Sequence, residues 1–349
     1  MRILSAASAL PPHYYPQHRL IEKFRKHWGP RLDRFDLLEK LHAATQVDGR
    51  YLVLEVEQYP LANWGEANDH WIRAAQDLGH QAICRAVSEA GIDAREIAAF
   101  FFVSITGICS PSIDARLVNK MHLSPNIKRV PIFGLGCVAG AAGISRAADY
   151  VKAYPKQVAL LLSVELCSLT VQPDDLSVAN LISSGLFGDG AAAVLVGGSE
   201  VPHQRGPEIL ATKSIFYPET ERVMGWDISD KGFQIVLSRD VPNVVLQNLG
   251  RDLNQFLAEQ NVGRDEIQSW VIHTGGPKVL EATEASLGLS NGALAASWEC
   301  LRRTGNLSSA SVLLVLEEVM KNRRPEPGTL GLLAAMGPGF CSELILLRW

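Results

Sequence analysis

Two stretches of this chain repeat one layout. Phe102-Val-Ser-Ile-Thr-Gly107 and Ser269-Trp-Val-Ile-His-Thr-Gly275 each read as a buried strand running into Thr-Gly, and each is followed by a helix closing on Leu. Gly136 lies 29 positions beyond Gly107 and Gly305 lies 30 beyond Gly275, and each opens a helix of small and apolar residues. A supersecondary unit restated at this distance marks an internal duplication, so the expected fold is α/β, built from two similar halves over 1–200 and 207–349. The polar stretch Ser199 to Gly206 reads as the linker between them. Halves packed about a pseudo-twofold bring their matching strand-to-helix turns to the centre, which is where α/β folds place ligands. On that geometry Cys137, His273 and Asn306 converge.

Periodicity fills in the rest. Arg2 to Ala6 is strand-like, Pro11-Pro12 turns the chain, and Gln17 to Trp28 is a polar helix followed by a mixed stretch through Lys40, Arg50 and Tyr59. Trp71, Ala74, Ala75, Leu78, Ala82 and Ile83 recur at helical spacing from His70 to Ala90, and Gly91 ends the run. Apolar runs at Ala98–Ile105, Gln157–Val164, Ala191–Val196 and Ile209–Phe216 read as strands, the first buried on both faces. Ser112–Met121, Asp175–Leu186 and Asp240–Glu259 read as helices; Met224–Ile228 reads as irregular and Gly232–Leu237 as a strand.

Composition excludes several functions. The 349 residues carry a net charge of −4 with no basic stripe, which argues against nucleic acid. No run reaches the roughly 18 apolar residues of a membrane span, and no signal-peptide pattern opens the chain, so the expected location is cytoplasmic. Six cysteines are scattered without a C-x-x-C pair and nine histidines show no ligand spacing, so neither disulfides nor a metal is expected.

Cys137 sits in Gly134-Leu-Gly-Cys-Val-Ala-Gly140, between the extended run Arg129–Phe133 and the helical run Ala141–Tyr154. At a strand-to-helix turn the helix dipole favours a thiolate, so Cys137 reads as a nucleophile. Two other readings compete: a cysteine buried for packing, and a nucleotide loop in which Gly134-x-Gly136-x-x-Ala139 cradles phosphate and Glu165 takes a ribose. His273 within reach of Cys137 would give a thiolate–imidazolium pair, and the Asn306 amide a second donor for a developing oxyanion. Taken singly, His273 reads as a core histidine and Asn306 as a helix cap.

The motifs Leu135-Gly-Cys-Val-Ala-Gly140, Leu186-Phe-Gly-Asp-Gly-Ala-Ala-Ala193, His273-Thr-Gly-Gly-Pro277, Gly305-Asn-Leu-Ser-Ser-Ala310 and Met336-Gly-Pro-Gly-Phe340 carry a resemblance over nearly the whole chain. The chain resembles the type III polyketide synthases, the chalcone-synthase-like branch of the thiolase superfamily. The resemblance implies a thiolase-like fold of two pseudo-duplicated αβαβα halves, and it retires the nucleotide-loop reading. It makes Cys137 the acyl-carrying nucleophile, His273 and Asn306 the pair assisting malonyl decarboxylation, and Phe187 the gatekeeper aromatic. Ile235 stands at the second gate position, and Thr274 where the family usually has proline. Ile105, Cys167, Thr170, Trp226 and Ser308 fall at cavity positions. Lys40 and Arg50 are implied at a basic tunnel mouth, with Gly275 and Gly276 beside the pantetheine arm. Substrates are then coenzyme A thioesters with no bound cofactor, and the assembly is a homodimer in which Ser110–Pro111 is a cis peptide at the partner's cavity.

Cys167-Ser-Leu-Thr170 and Met224-Gly-Trp226 look like bacterial members that load medium or long fatty acyl groups and make alkylpyrones or alkylresorcinols. The Trp226 indole would fill much of the cyclisation cavity, limit extension to two or three rounds, and leave a long starter to a separate apolar tunnel. The alternative is a tetrahydroxynaphthalene- or phloroglucinol-type synthase using malonyl-CoA alone. Readings of another class are an NAD(P)-dependent oxidoreductase and a non-catalytic binding protein on the thiolase fold.

Overall fold

A computed structural model describes residues 1–32, 34–202, 205–290 and 292–349. The chain opens with β1 (Arg2–Ala9); the short pair β2 (His13–Pro16) and β3 (Gly49–Leu52) then brackets α1 (Gln17–Trp28) and α2 (Phe35–Ala44). The long α3 (Trp64–Ala90) leads to β4 (Ile97–Val103), α4 (Ile113–Lys120), β5 (Lys128–Ile132), α5 (Ala139–Ala153), β6 (Val158–Leu166), α6 (Val178–Leu186) and β7 (Asp189–Gly197). Beyond 197 come β8 (Glu208–Phe216), the ribbon β9 (Met224–Ser229) and β10 (Gly232–Leu237), α7 (Val241–Glu259), β11 (Ile267–Ile272), α8 (Pro277–Leu287), α9 (Ala295–Thr304), α10 (Ser311–Asn322), β12 (Leu330–Gly337) and β13 (Cys341–Arg348).

Nine strands form one mixed sheet in the order β11-β12-β13-β8-β1-β7-β6-β4-β5. Strands from before residue 198 lie on one side of the β1/β8 seam and strands from after 207 on the other. The seam itself is thin: Ile3 N donates to Pro207 O at 2.9 Å and Ile209 N to Met1 O at 3.0 Å. α5 and α10 share one core with strands from both sides, including Phe101, Leu161, Val194, Leu333 and Ile345. α5 packs closely in that core with mainly small side chains, burying Ala139, Gly140, Ala141, Ala142, Gly143, Ala147 and Ala148 beside Ile144 and Val151. α3 covers the outer face of the first set of strands, and α7 with α8 that of the second. The result is the five-layered α/β arrangement that places the starts of α5 and α10 side by side at the centre.

Differences from the sequence reading are local. β2, β3 and α2 occupy the mixed stretch, where short elements stabilised by tertiary contact carry little periodicity. Met224–Ser229 is a strand, not irregular, because it pairs along its length with Gly232–Leu237. α3 starts at Trp64, where the Asn63 side chain caps it by accepting from Glu66 N at 3.0 Å. α6 begins at Val178, after a turn in which Ser177 accepts from Asn180 N. Residues 203 and 204 of the expected linker lie outside the described residues. The Ser110–Pro111 peptide bond is cis.

Candidate active site

Cys137 lies in a single 3-10 turn, Gly136–Val138, that runs directly into α5. The glycines around it serve contact between segments. Gly136 has φ +53°, and a Cβ there would stand 2.7 Å from the Pro338 ring. A Cβ on Gly140 would stand 2.2 Å from Ser309 O, and one on Gly337 2.6 Å from Val138 N. These glycines bring the 308–310 and 337–338 turns onto the cysteine; they do not form a phosphate loop. Glu165 is likewise no ribose acid: it is fully buried and accepts from Ile105 N at 3.1 Å, Thr106 Oγ1 at 3.0 Å and the Ser309 hydroxyl.

Asn306 follows Gly305, whose φ of +71° leaves no space for a side chain, since a Cβ would meet Leu186 O at 2.4 Å. Asn306 N donates to Leu186 O at 2.9 Å, and Gly188 N donates to Asn306 O at 3.0 Å, so this residue is stitched to the Phe187 turn. Its side-chain oxygen accepts from Ser308 N at 2.8 Å and Ser311 Oγ at 3.2 Å. That fixes the amide: the oxygen holds the turn into α10, and the NH2 faces Gly275 O at 3.4 Å and the Cys137 sulfur. The cap reading therefore describes one end of the side chain and the donor reading the other. The Cys137 thiol also meets Ser308 Oγ, at 3.6 Å.

His273 stands one residue past β11, its N–H donating to Ala334 O at 3.0 Å, and two residues before the carbonyl that receives the Asn306 amide. It is buried, and its Nδ1 has no partner among the described residues. Burial pushes its pKa down to about 4. Burial also pushes Cys137 up to about 12, opposed by hydrogen bonds from Ser308 and Asn306 and reinforced by the negative charge of Glu165. Both shifts favour the uncharged form. Burial of the free site thus works against the thiolate–imidazolium pair expected from the sequence. A neutral imidazole N–H and an amide NH2, both shielded from water, are suited to stabilising an enolate or oxyanion.

The other expected residues separate into three groups. Ile105, Cys167 and Ser308 gather near Cys137: Ser308 by the contact above, Ile105 Cδ1 at 3.4 Å from a Cβ placed on Gly136, and Cys167 within electrostatic range of the sulfur. Trp226 and Ile235 face one another as partners on the β9–β10 ribbon, with the Trp226 ring 6.0 Å from that of Phe233. Thr170 lines a cavity of about 510 Å³ that Cys137, His273 and Asn306 do not line. Leu20, Phe24, Leu52, Val56, Trp64 and Phe233 form much of its wall; Lys23, Asp174, Asp175 and Lys231 also border it. Phe187 is half-buried, and Gly275 and Gly276 lead into α8, Gly276 with φ +131°.

The two cations differ in setting, and Arg50 borders the same 510 Å³ cavity as Thr170. Lys40 is exposed and pairs with Asp36 at 3.2 Å. Arg50 is only 3% exposed and donates to Phe187 O at 2.6 Å, so it is no surface phosphate ligand. Sequence reasoning named Glu165 only as a ribose acid and did not foresee it as a buried carboxyl beside Cys137, which burial pushes up to about 7. The available signal was one acid in the run 158–166, whose only other polar residue is Ser163. Among the described residues no helix is long and apolar enough to cross a membrane.

Comparison with known proteins agrees with this layout. Residues 1–200 match the model of the chalcone and stilbene synthases, N-terminal domain, and residues 208–349 that of the C-terminal domain. A 1,3,6,8-tetrahydroxynaphthalene synthase of Streptomyces peucetius subsp. caesius is 47% identical over 351 aligned positions, covering 99% of this chain and 93% of the relative. A putative chalcone synthase of Bacillus subtilis (strain 168) is 37% identical, covering 99% and 98%. The crystal structure of 1,3,6,8-tetrahydroxynaphthalene synthase from Streptomyces coelicolor A3(2), a bacterial type III polyketide synthase, superposes with a TM-score of 0.95 at 31% identity, covering 100% of this chain and 99% of that one. The chain belongs to the chalcone and stilbene synthase family: it has the thiolase-like fold and is a type III polyketide synthase, an acyltransferase acting on coenzyme A thioesters.

Proposed function

We propose that Cys137 carries the growing acyl chain and that His273 and Asn306 stabilise the malonyl enolate. The Cys137 sulfur attacks the starter thioester carbonyl, and the coenzyme A thiolate leaves and takes up the thiol proton. Malonyl-CoA then loses CO2, and the electron pair released becomes an enolate whose oxygen receives the imidazole N–H and the Asn306 NH2. Each such donor is worth about 3 to 4 kcal/mol in the transition state. The enolate carbon attacks the acyl-Cys137 carbonyl, forming the new C–C bond and releasing the sulfur. Repetition and ring closure complete the product.

The starter we propose is a medium or long fatty acyl group, giving an alkylpyrone or alkylresorcinol. The observation that supports it is the largely apolar 510 Å³ cavity beside Thr170, on the 3-10 turn Cys167–Thr170 that also carries Cys167 toward Cys137. Each methylene placed there contributes about 0.8 kcal/mol, so affinity should climb with chain length until the cavity is full. A second reading, malonyl-CoA as sole substrate, is favoured by the 47% identity to a tetrahydroxynaphthalene synthase.

One experiment separates the two readings. Wild type and Trp226→Gly are incubated with malonyl-CoA, alone and with acetyl- to palmitoyl-CoA, and the acyl mass on the Cys137 peptide and the products are read by mass spectrometry. Long-chain adducts and alkylated products support the fatty starter, and longer polyketides from Trp226→Gly support the indole as the limit on extension. A naphthalene product from malonyl-CoA alone, unaffected by added acyl-CoA, overturns the fatty starter in favour of the second reading. An adduct on Cys167 or Cys109 overturns the nucleophile.

A second copy of the chain is proposed as partner, paired through the β5 edge of the sheet. β5 has a neighbour on one side only, and Val130, Phe133 and Ile108 are exposed there.

A further inference from the structure

Arg50 has a cost that its contacts do not explain. It lies on β3, 3% exposed, at the wall of the 510 Å³ cavity; among the described residues its side-chain hydrogen bond is from Nη1 to Phe187 O, at 2.6 Å, and its buried Nε has no partner. Asp189 is the nearby counter-charge, but that carboxylate accepts from Val53 N at 2.8 Å, Ser168 N at 2.8 Å and Ser168 Oγ at 2.5 Å, not from the guanidinium. A cation taken out of water with incomplete pairing destabilises a fold relative to an apolar side chain of the same length. Stability therefore does not account for an arginine here.

Its position does. The guanidinium holds the carbonyl of Phe187, the residue between Leu186 and Gly188, and both of these are hydrogen-bonded to the Asn306 backbone. The stem lies against the same junction from below: a Cβ on Gly305 would be 3.2 Å from Arg50 Cδ, and one on Gly188 3.5 Å from Arg50 Cβ. β3, the Phe187 turn and the Gly305–Asn306 segment thus meet on one side chain. We propose that Arg50 is a positioning residue for the condensation, clamping the Phe187 turn to the Asn306 segment and so fixing the depth of the Asn306 amide beside Cys137. This rests on the roles given above to Cys137 and Asn306.

The test is a set of substitutions read step by step. Arg50→Met keeps the length and removes the charge; Arg50→Lys keeps the charge and loses the planar fork. Acyl-Cys137 formation is followed by mass spectrometry with whichever of dodecanoyl-CoA and malonyl-CoA loads the wild type, CO2 release from malonyl-CoA gives the second step, and thermal unfolding reports the fold. In Arg50→Met, which leaves the Phe187 carbonyl and the Asp189 carboxylate without their cation, kcat for CO2 release should fall at least about tenfold more than the rate of Cys137 loading, with KM little changed, since a displaced donor is felt where the enolate forms. Arg50→Lys should recover part of that loss. The proposal is overturned if Arg50→Met releases CO2 at the wild-type rate, or if loading and CO2 release fall together with the melting temperature. If Arg50→Met does not fold, Arg50→Lys and Arg50→Gln are read for the same split, and equal losses in both steps overturn it. Wild type that never acylates Cys137 overturns the underlying site assignment instead, a result distinct from any Arg50 outcome.

Discussion

Gly140→Ala adds one methyl group and should break the site without touching a reacting atom. The new Cβ would stand 2.2 Å from Ser309 O and 2.8 Å from Val312 Cγ1. Ordinary contact requires more than 3 Å, so the start of α5 and the turn before α10 must separate by about 1 Å, and overpacking of this kind costs about 1 to 3 kcal/mol. The separation falls between Cys137, three residues before Gly140, and Asn306 with Ser308, just before Ser309. A misplacement of about 1 Å between reacting groups lowers turnover by about a hundredfold. Gly134→Ala is the control: its Cβ meets nothing within 4 Å, so only the backbone strain of φ +97° is added. Condensation rate and thermal unfolding should be measured for both. Gly140→Ala should lose far more activity than its stability loss explains, and Gly134→Ala should lose some stability with most activity kept. If Gly140→Ala condenses at the wild-type rate, the close approach of these two turns does not control the chemistry.

The neutral thiol gives a second expectation. Alkylation of Cys137 by iodoacetamide in the free protein should rise steadily from pH 7 to pH 10 without a plateau, because burial raises the thiol to about 12 and the thiolate fraction keeps growing over that range. A plateau below pH 9 would show a standing thiolate. The proposed pairing across β5 is checked by light scattering: twice the 38.1 kDa chain mass is expected, reduced to one chain by Val130→Asp or Phe133→Asp, and a fully active monomer refutes it.

How much of this was legible in the sequence follows from which forces placed each part. Long strands and helices with a clear apolar period, such as Val158–Leu166 and Trp64–Ala90, are set by local pattern and were readable, the strand within a few residues and the helix apart from its first six. The turn carrying Cys137 was readable too, because its glycines are demanded by backbone geometry and by close approach. The protonation state was not. A helix N-terminus argues for a thiolate, whereas burial under turns from distant segments pushes the thiol the other way. Arg50 shows the same limit from the other side. In sequence it is a cation in a polar stretch, and only the pairing of β2 with β3 and the return of the Phe187 turn bury it.

The two cases share a cause that bears on how this site works. Cys137, Asn306 and Arg50 each belong to a separate segment, and each is held by backbone atoms of another: Asn306 by Leu186 and Gly188, Arg50 by Phe187, and the cysteine turn by close approach of the 308–310 and 337–338 turns. A site assembled this way gains uncharged donors in a dry setting, where a developing negative charge is stabilised more strongly than in water. The same burial pushes the Cys137 thiol up. On the roles proposed above, loading has to move the thiol proton in the same event that forms the thioester, whereas enolate formation meets donors already in place. Loading is therefore the step most exposed to pH, and decarboxylation the step most exposed to small displacements of Asn306.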